Sequence, residues 1–301
     1  MPTAKPIPPL TLDNIIPPNI NYAYFQDSSA FPFESSAPGF SLTNAWWLME
    51  AALLAYAEES FARPRFEAAG FNQVQFFNGQ STQCYLLQGY QFAVLAFRGT
   101  ESNIQEGIDA LNQFITDLKT DFDFRLKETP DIGKIHRGFD RALDEVWTDV
   151  LAELHQPTDR PLWITGHSLG GALATLSAAR YEKARAVYTY GSPRVGDGEF
   201  KHRFHTPAFR FVHHNDVVTK VPPGPYRHIG QLYRLDAQGR LVLGAQAKKA
   251  FFRILREKIA EMMSALRTPT PSSTTVIPEG LQDHTPLLYA LHIWNNLVGA
   301  Y

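Results

Sequence analysis

Gly166-His167-Ser168-Leu169-Gly170 fits the pattern G-x-S-x-G, and the residues on either side supply the context that gives the pattern chemical meaning. The apolar run Trp163-Ile164-Thr165 before it reads as a strand, and Ala172-Leu173-Ala174-Thr175-Leu176 after it reads as a helix. A turn this tight between strand and helix leaves no room for side chains at Gly166 and Gly170, while it thrusts the serine out at the sheet edge. The same five residues would also suit a plain connecting turn; the flanking strand and helix favour a nucleophile. The helix N-terminus behind Ser168 offers unpaired N–H groups and partial positive charge, so the backbone N–H of Leu169 is the expected donor to a developing oxyanion.

A serine hydroxyl attacks a carbonyl at neutral pH only if a base takes its proton, and the base works best when a carboxylate orients it. In an α/β-hydrolase arrangement these follow in the order Ser, Asp or Glu, His. Asp216 comes directly after the apolar run Phe209-Arg210-Phe211-Val212-His213-His214 and Asn215, where a strand should end. Asp197, in Tyr190-Gly191-Ser192-Pro193-Arg194-Val195-Gly196-Asp197, is the competing acid. Of the histidines beyond Asp216, His284 sits in a loop just before an apolar helical segment, where an imidazole can reach over a sheet edge. His292 falls within that segment and reads as a packed histidine, and His228 follows a Pro-rich turn. The pairs His202/His205 and His213/His214 lack any accompanying carboxylate or cysteine pattern, so no metal site is expected. The chemistry implied is acyl transfer through a covalent intermediate, with no cofactor called for.

These residues must be held by a framework of strands. The chain has 301 residues, 44% of them hydrophobic and 19% charged, the balance of a globular protein with one large core. Residues 1–40, rich in Pro, Asn and Ser, read as an extended arm, and residues 41–301 as a single domain. The domain opens with a helix from Ser41, with Ser41 or Thr43 as its N-cap. Two short strands, VQFFN and CYLLQ, turn at Gly79; QFAVLAF is a central strand, and an amphipathic helix over Phe139–Leu154 leads into PLWITG. With AVYTYGS and FRFVHH the alternation predicts an α/β fold whose central sheet is mostly parallel and flanked by helices. The hairpin-like LYRLDAQGRLVL suits an antiparallel addition at the sheet edge. A basic amphipathic helix over 247–267 and a Pro/Ser/Thr loop follow it, so 231–280 reads as an insertion.

A formal charge of −2 offers no field for a polyanion, so nucleic acid is not an expected partner. Cys84 is the only cysteine, which excludes an intrachain disulfide; in its apolar run it reads as core. The first twenty residues lack the apolar stretch of a signal peptide and no later run suits a membrane span, so the expected location is cytoplasmic.

Taken in succession, FRGT, a T-D-L segment, HRGF, GHSLGGA, YGSPRVGD, NDVVTKVPP and DHTPLLY resemble the class 3 lipase family, the fungal triacylglycerol-lipase type, over most of the chain from about Ala51. The resemblance implies an α/β-hydrolase fold and a triad of Ser168, Asp216 and His284. It implies Thr100 as the second oxyanion-hole residue beside Leu169, and Thr100 suits that place because it follows a central strand and offers both an N–H and a hydroxyl. It also implies a lid at about 101–118, where Ile104, Ile108, Leu111, Ile115 and Leu118 form one apolar stripe. Asp117 and His136 match family positions near the site, and structural hydrogen bonding accounts for them equally well. The expected substrate is an acylglycerol or another ester, with contact to a lipid interface through the lid or the basic helix. The alternatives are an esterase or phospholipase acting on more polar esters, or a non-catalytic binding module on the same scaffold. The chain departs from the family between Asp216 and His284, where the hairpin and basic helix lengthen the connection.

Overall fold

A run of five apolar residues without a polar break cannot lie at a wet edge, and Ala93–Phe97 forms a strand buried along its whole length. A computed structural model of the chain describes residues 2–100, 126–242 and 279–300. Its strands, in chain order, are β1 Gln73–Asn78, β2 Gln83–Gln88, β3 Ala93–Phe97, β4 Leu126–Thr129, β5 Gly133–His136, β6 Leu162–His167, β7 Ala186–Tyr190, β8 Ala208–His213, β9 Gln231–Leu235 and β10 Leu241–Val242. The helices are α1 Leu12–Ile15, α2 Leu42–Leu54, α3 Glu59–Ala68, α4 Arg137–Leu154, α5 Leu169–Arg180, α6 Gly198–Arg203, α7 Glu279–Gln282 and α8 Pro286–Val298.

Eight strands make one sheet in the order β1-β2-β3-β6-β7-β8-β9-β10. Its middle, from β3 through β6, β7 and β8 to β9, is parallel, with antiparallel pairs at both ends. The mostly parallel sheet flanked by helices expected from the strand and helix alternation is therefore present. Period-two alternation divides the core between the two faces: Val94 and Ala96 join Trp46, Leu53, Tyr188, Phe211 and Trp294 under α2 and α8, while Leu95 and Phe97 join Leu143, Val150, Leu173 and Leu176 under α4 and α5.

Two elements differ from the sequence reading. The antiparallel addition expected of LYRLDAQGRLVL is only half antiparallel, because β9 pairs parallel with β8 and only the two-residue β10 folds back on it. The cause is the connection after β8, which is long enough to carry the chain back before β9 begins, so β9 extends the parallel core. The arm, read only as extended, also reaches the core: Phe25 is buried against Trp47, Phe66 and Phe71. The fully buried Glu50 of α2 accepts from the Phe25 N–H at 2.9 Å, Tyr22 Oη at 2.5 Å and Trp46 Nε1 at 3.1 Å, which ties the arm to α2. Among the described residues no helix is long and apolar enough to cross a membrane. The stretch expected as a lid, with Asp117, and the basic helix over 247–267 lie outside the described residues.

Candidate active site

β6 ends at His167 and α5 begins at Leu169, so Ser168 alone makes the turn, at φ 57° and ψ −129°. A side chain other than glycine is rarely held there, and strain of this kind persists only where neighbours over-determine it. Those neighbours are present: Ser168 N–H donates to Tyr190 O at 3.0 Å, and the glycines on either side admit no substitute. A Cβ on Gly166 would lie 2.2 Å from the Gly170 backbone, and one on Gly170 would lie 2.4 Å from Phe97 O. The second contact also shows that the first turn of α5 is seated against the end of β3.

Asp216 is placed by the turn after β8 and His284 by the turn between α7 and α8. His284 Nδ1 is 3.0 and 2.9 Å from the two Asp216 carboxylate oxygens, and its Nε2 is 2.8 Å from Ser168 Oγ. A carboxylate accepts only, so Nδ1 carries the proton and Nε2 presents its lone pair to the serine hydroxyl. Asp216 is fully buried, and two further donors meet it: Val218 N–H at 2.9 Å and Tyr289 Oη at 2.7 Å. Burial first, and then the Asp216 charge, push the Tyr289 hydroxyl well above its ordinary pKa, so it stays a donor. The turns that carry Asp216 and His284 are clasped through Asp283, whose carboxylate accepts from Asn215 N–H at 2.9 Å and lies 3.0 Å from His214 Nδ1. His213 Nδ1 lies 3.1 Å from Asp283 O.

Thr100 follows β3 in sequence, and its Oγ1 is buried with no hydrogen-bond partner among the described residues. A buried hydroxyl without a partner is costly, so Thr100 keeps a donor that the described residues do not use. Leu169 N–H is the first of the donors that α5 leaves without an internal acceptor.

The other candidates go elsewhere. Asp197 caps α6, accepting from Phe200 N–H at 2.9 Å. His228 Nε2 donates to Thr219 O at 2.7 Å, and His292 packs within α8 with its ring 4.8 Å from that of His213. His136 caps α4, its Nδ1 accepting from Gly138 and Phe139 N–H. Cys84 is buried and unpaired, His202 and His205 are exposed, and the described residues hold no cluster of three or more metal-binding side chains. Sequence reasoning assigns no role to Tyr289, His167 or Gly191. A Cβ on Gly191, at φ +57°, would lie 2.7 Å from Asp216 Oδ2 and 2.9 Å from His284. The glycine in YGSPRVGD was the available signal, but only the fold shows what approaches it.

Residues 94–225 match the family model Lipase (class 3). A secreted mono- and diacylglycerol lipase of Fusarium solani is 40% identical over 115 residues, 34% of each chain. A chloroplastic phospholipase A1-Igamma1 of Arabidopsis thaliana is 36% identical over 109 residues, 25% of this chain and 21% of that one. The chain thus covers about a third of the length of the first of these relatives and about a fifth of the second. The solved structure of lipase II from Rhizopus niveus superposes with a TM-score of 0.53 at 23% identity, covering 65% of this chain and 81% of that one, a likeness of fold. FRGT, HRGF, GHSLGGA, YGSPRVGD and NDVVTKVPP all fall within the matched residues 94–225, so this stretch is similar to the class 3 lipase family, and the chain has an α/β-hydrolase fold.

Proposed function

We propose that this chain is a serine carboxylic ester hydrolase acting on acylglycerols, with Ser168 as nucleophile, His284 as general base and acid, and Asp216 as the group that orients the imidazole. The observation that carries this reading is the unbroken contact series from Asp216 through His284 to Ser168 Oγ, each step within 3.0 Å. As Ser168 Oγ bonds to the ester carbonyl carbon, its proton passes to His284 Nε2. The imidazolium that forms is stabilised by Asp216, and it then protonates the departing alcohol. A water molecule, deprotonated by His284, attacks the acyl carbon, and the imidazolium returns the proton to Ser168 Oγ as the acid leaves. Thr100 and Leu169 donate to the carbonyl oxygen as it becomes negative, each worth about 3 kcal/mol of the barrier.

Replacing Ser168 with Ala is expected to remove p-nitrophenyl ester turnover and labelling by a fluorophosphonate; turnover near the parental rate would refute the assignment. The similarity to a phospholipase A1 supports a second reading, hydrolysis of polar acyl lipids. Rates on emulsified triacylglycerols against phospholipid vesicles and short soluble esters separate the two.

A further inference from the structure

Behind the triad, two side chains that the proposed mechanism does not use touch the backbone beside each of its working parts. His167 Nε2 lies 2.8 Å from the carbonyl oxygen of His284, and its Nδ1 lies 2.8 Å from Tyr56 Oη. All three groups are buried. We infer that Tyr56 and His167 are a positioning pair that holds the nucleophile turn, the base-bearing turn and the end of β3 in one register. The inference rests on the assignment of Ser168, Asp216 and His284 given above.

The protons in this chain have only one arrangement. The His284 carbonyl accepts and cannot donate, so His167 Nε2 carries a hydrogen. Burial foremost, and the neighbouring His284, hold the His167 pKa well below the usual imidazole value, so the ring is neutral and Nδ1 is bare. The Tyr56 hydroxyl must therefore donate to Nδ1. Tyr56 reaches this point because residue 99 is glycine: a Cβ there would stand 1.8 Å from Tyr56 Oη. Gly99 precedes Thr100, His167 precedes Ser168, and the bonded carbonyl is that of His284 itself. One hydroxyl and one ring thus reach the oxyanion residue, the nucleophile and the base, each at or next to the working residue.

The neutral state matters for the reaction. The His167 and His284 rings lie 4.5 Å apart, and the Tyr289 ring lies 5.6 Å from that of His167. A cationic His167 would oppose the imidazolium that forms on His284, whereas the neutral ring leaves it to Asp216.

The test joins spectroscopy to kinetics on the full chain. With 15N-labelled histidine, His167 is expected as a neutral Nε2–H tautomer that does not titrate where an ordinary imidazole does; in Tyr56→Phe the Nδ1 resonance shifts as its donor is lost. His167→Phe keeps a ring but neither hydrogen bond, and kcat is expected to fall about tenfold or more with KM little changed. His167→Gln, whose amide N–H can reach the His284 carbonyl, should restore most of the loss, and Tyr56→Phe should cost little more when added to His167→Phe. A His167 that titrates near the ordinary value, a wild-type kcat in His167→Phe, or a Gln variant no better than Phe would overturn the inference. If His167→Phe does not fold, the tautomer and the Tyr56→Phe shift decide alone. Failure of the triad assignment looks different: the wild-type chain would neither turn over ester nor take the fluorophosphonate label at Ser168.

Discussion

A carboxylate removed from water remains an anion only where donors replace its hydration, and Asp216 receives three: His284 Nδ1–H, Val218 N–H and Tyr289 Oη–H. Tyr289 also accepts from His213 N–H at 2.9 Å, so its hydroxyl joins the acid to β8. Tyr289→Phe removes one charge-assisted bond, worth about 2 kcal/mol, from the group proposed to stabilise the imidazolium. The expected result is a fall in kcat of about tenfold or more at nearly constant KM; a kcat equal to that of the wild type would show that the remaining two donors suffice. At this scale the sequence was informative where reaction chemistry dictates residue type and order. Ser168, Asp216 and His284, named from a strand-turn-helix pattern, a strand end and a loop, meet within 3.0 Å in the structure. Tyr289, His167 and Gly191 are set by side-chain direction and by what another segment brings near them, and neither is written in local spacing.

Elements were legible where burial is one-sided or complete. The helix expected from Ser41 runs Leu42–Leu54, and of the two caps considered it is Ser41 whose hydroxyl accepts from Asn44 N–H, at 3.0 Å. Ser41→Ala leaves that N–H without its acceptor and is expected to cost about 1 kcal/mol, read as a lowered denaturation midpoint; an unchanged midpoint would mean that the packing of α2 against α8 and β6 governs the helix end instead. The strands β3, β6, β7 and β8 announced themselves as apolar runs. By contrast β4 and β5 form a small separate pair whose burial patterns carry little period-two signal, and α3 contains Pro64, a poor helix residue that obscured it. The direction of β9 was invisible for a different reason: local sequence marks a hairpin at Ala237-Gln238-Gly239 but says nothing about which way the preceding crossover delivers its first strand.

Over the whole molecule, the histidines tie stability to pH. Four of them are held below the ordinary imidazole value: His167, chiefly by burial; His213, by burial and His292, at about 3; His228, by burial and Arg210, at about 3; and His292, by burial. The unfolded chain binds protons on these residues as pH drops through about 6.5, whereas the native chain does not. Their contribution is therefore complete above about pH 6.5 and is lost progressively below it, at up to about 1.4 kcal/mol per histidine per pH unit, until the native groups titrate. Carboxylates held low by partners, such as Asp140 between Lys127 and Arg180, add to the loss only in the range where free aspartate titrates. Glu50, raised by burial, works in the opposite sense there. The melting temperature should thus fall between about pH 7 and about pH 5, ahead of carboxylate titration. His228→Gln, which keeps a donor for Thr219 O but cannot be protonated, should flatten the slope by close to one proton. A melting temperature constant over that interval, or a slope untouched by His228→Gln, would mean that these imidazoles take up protons in the native state as readily as in the unfolded one.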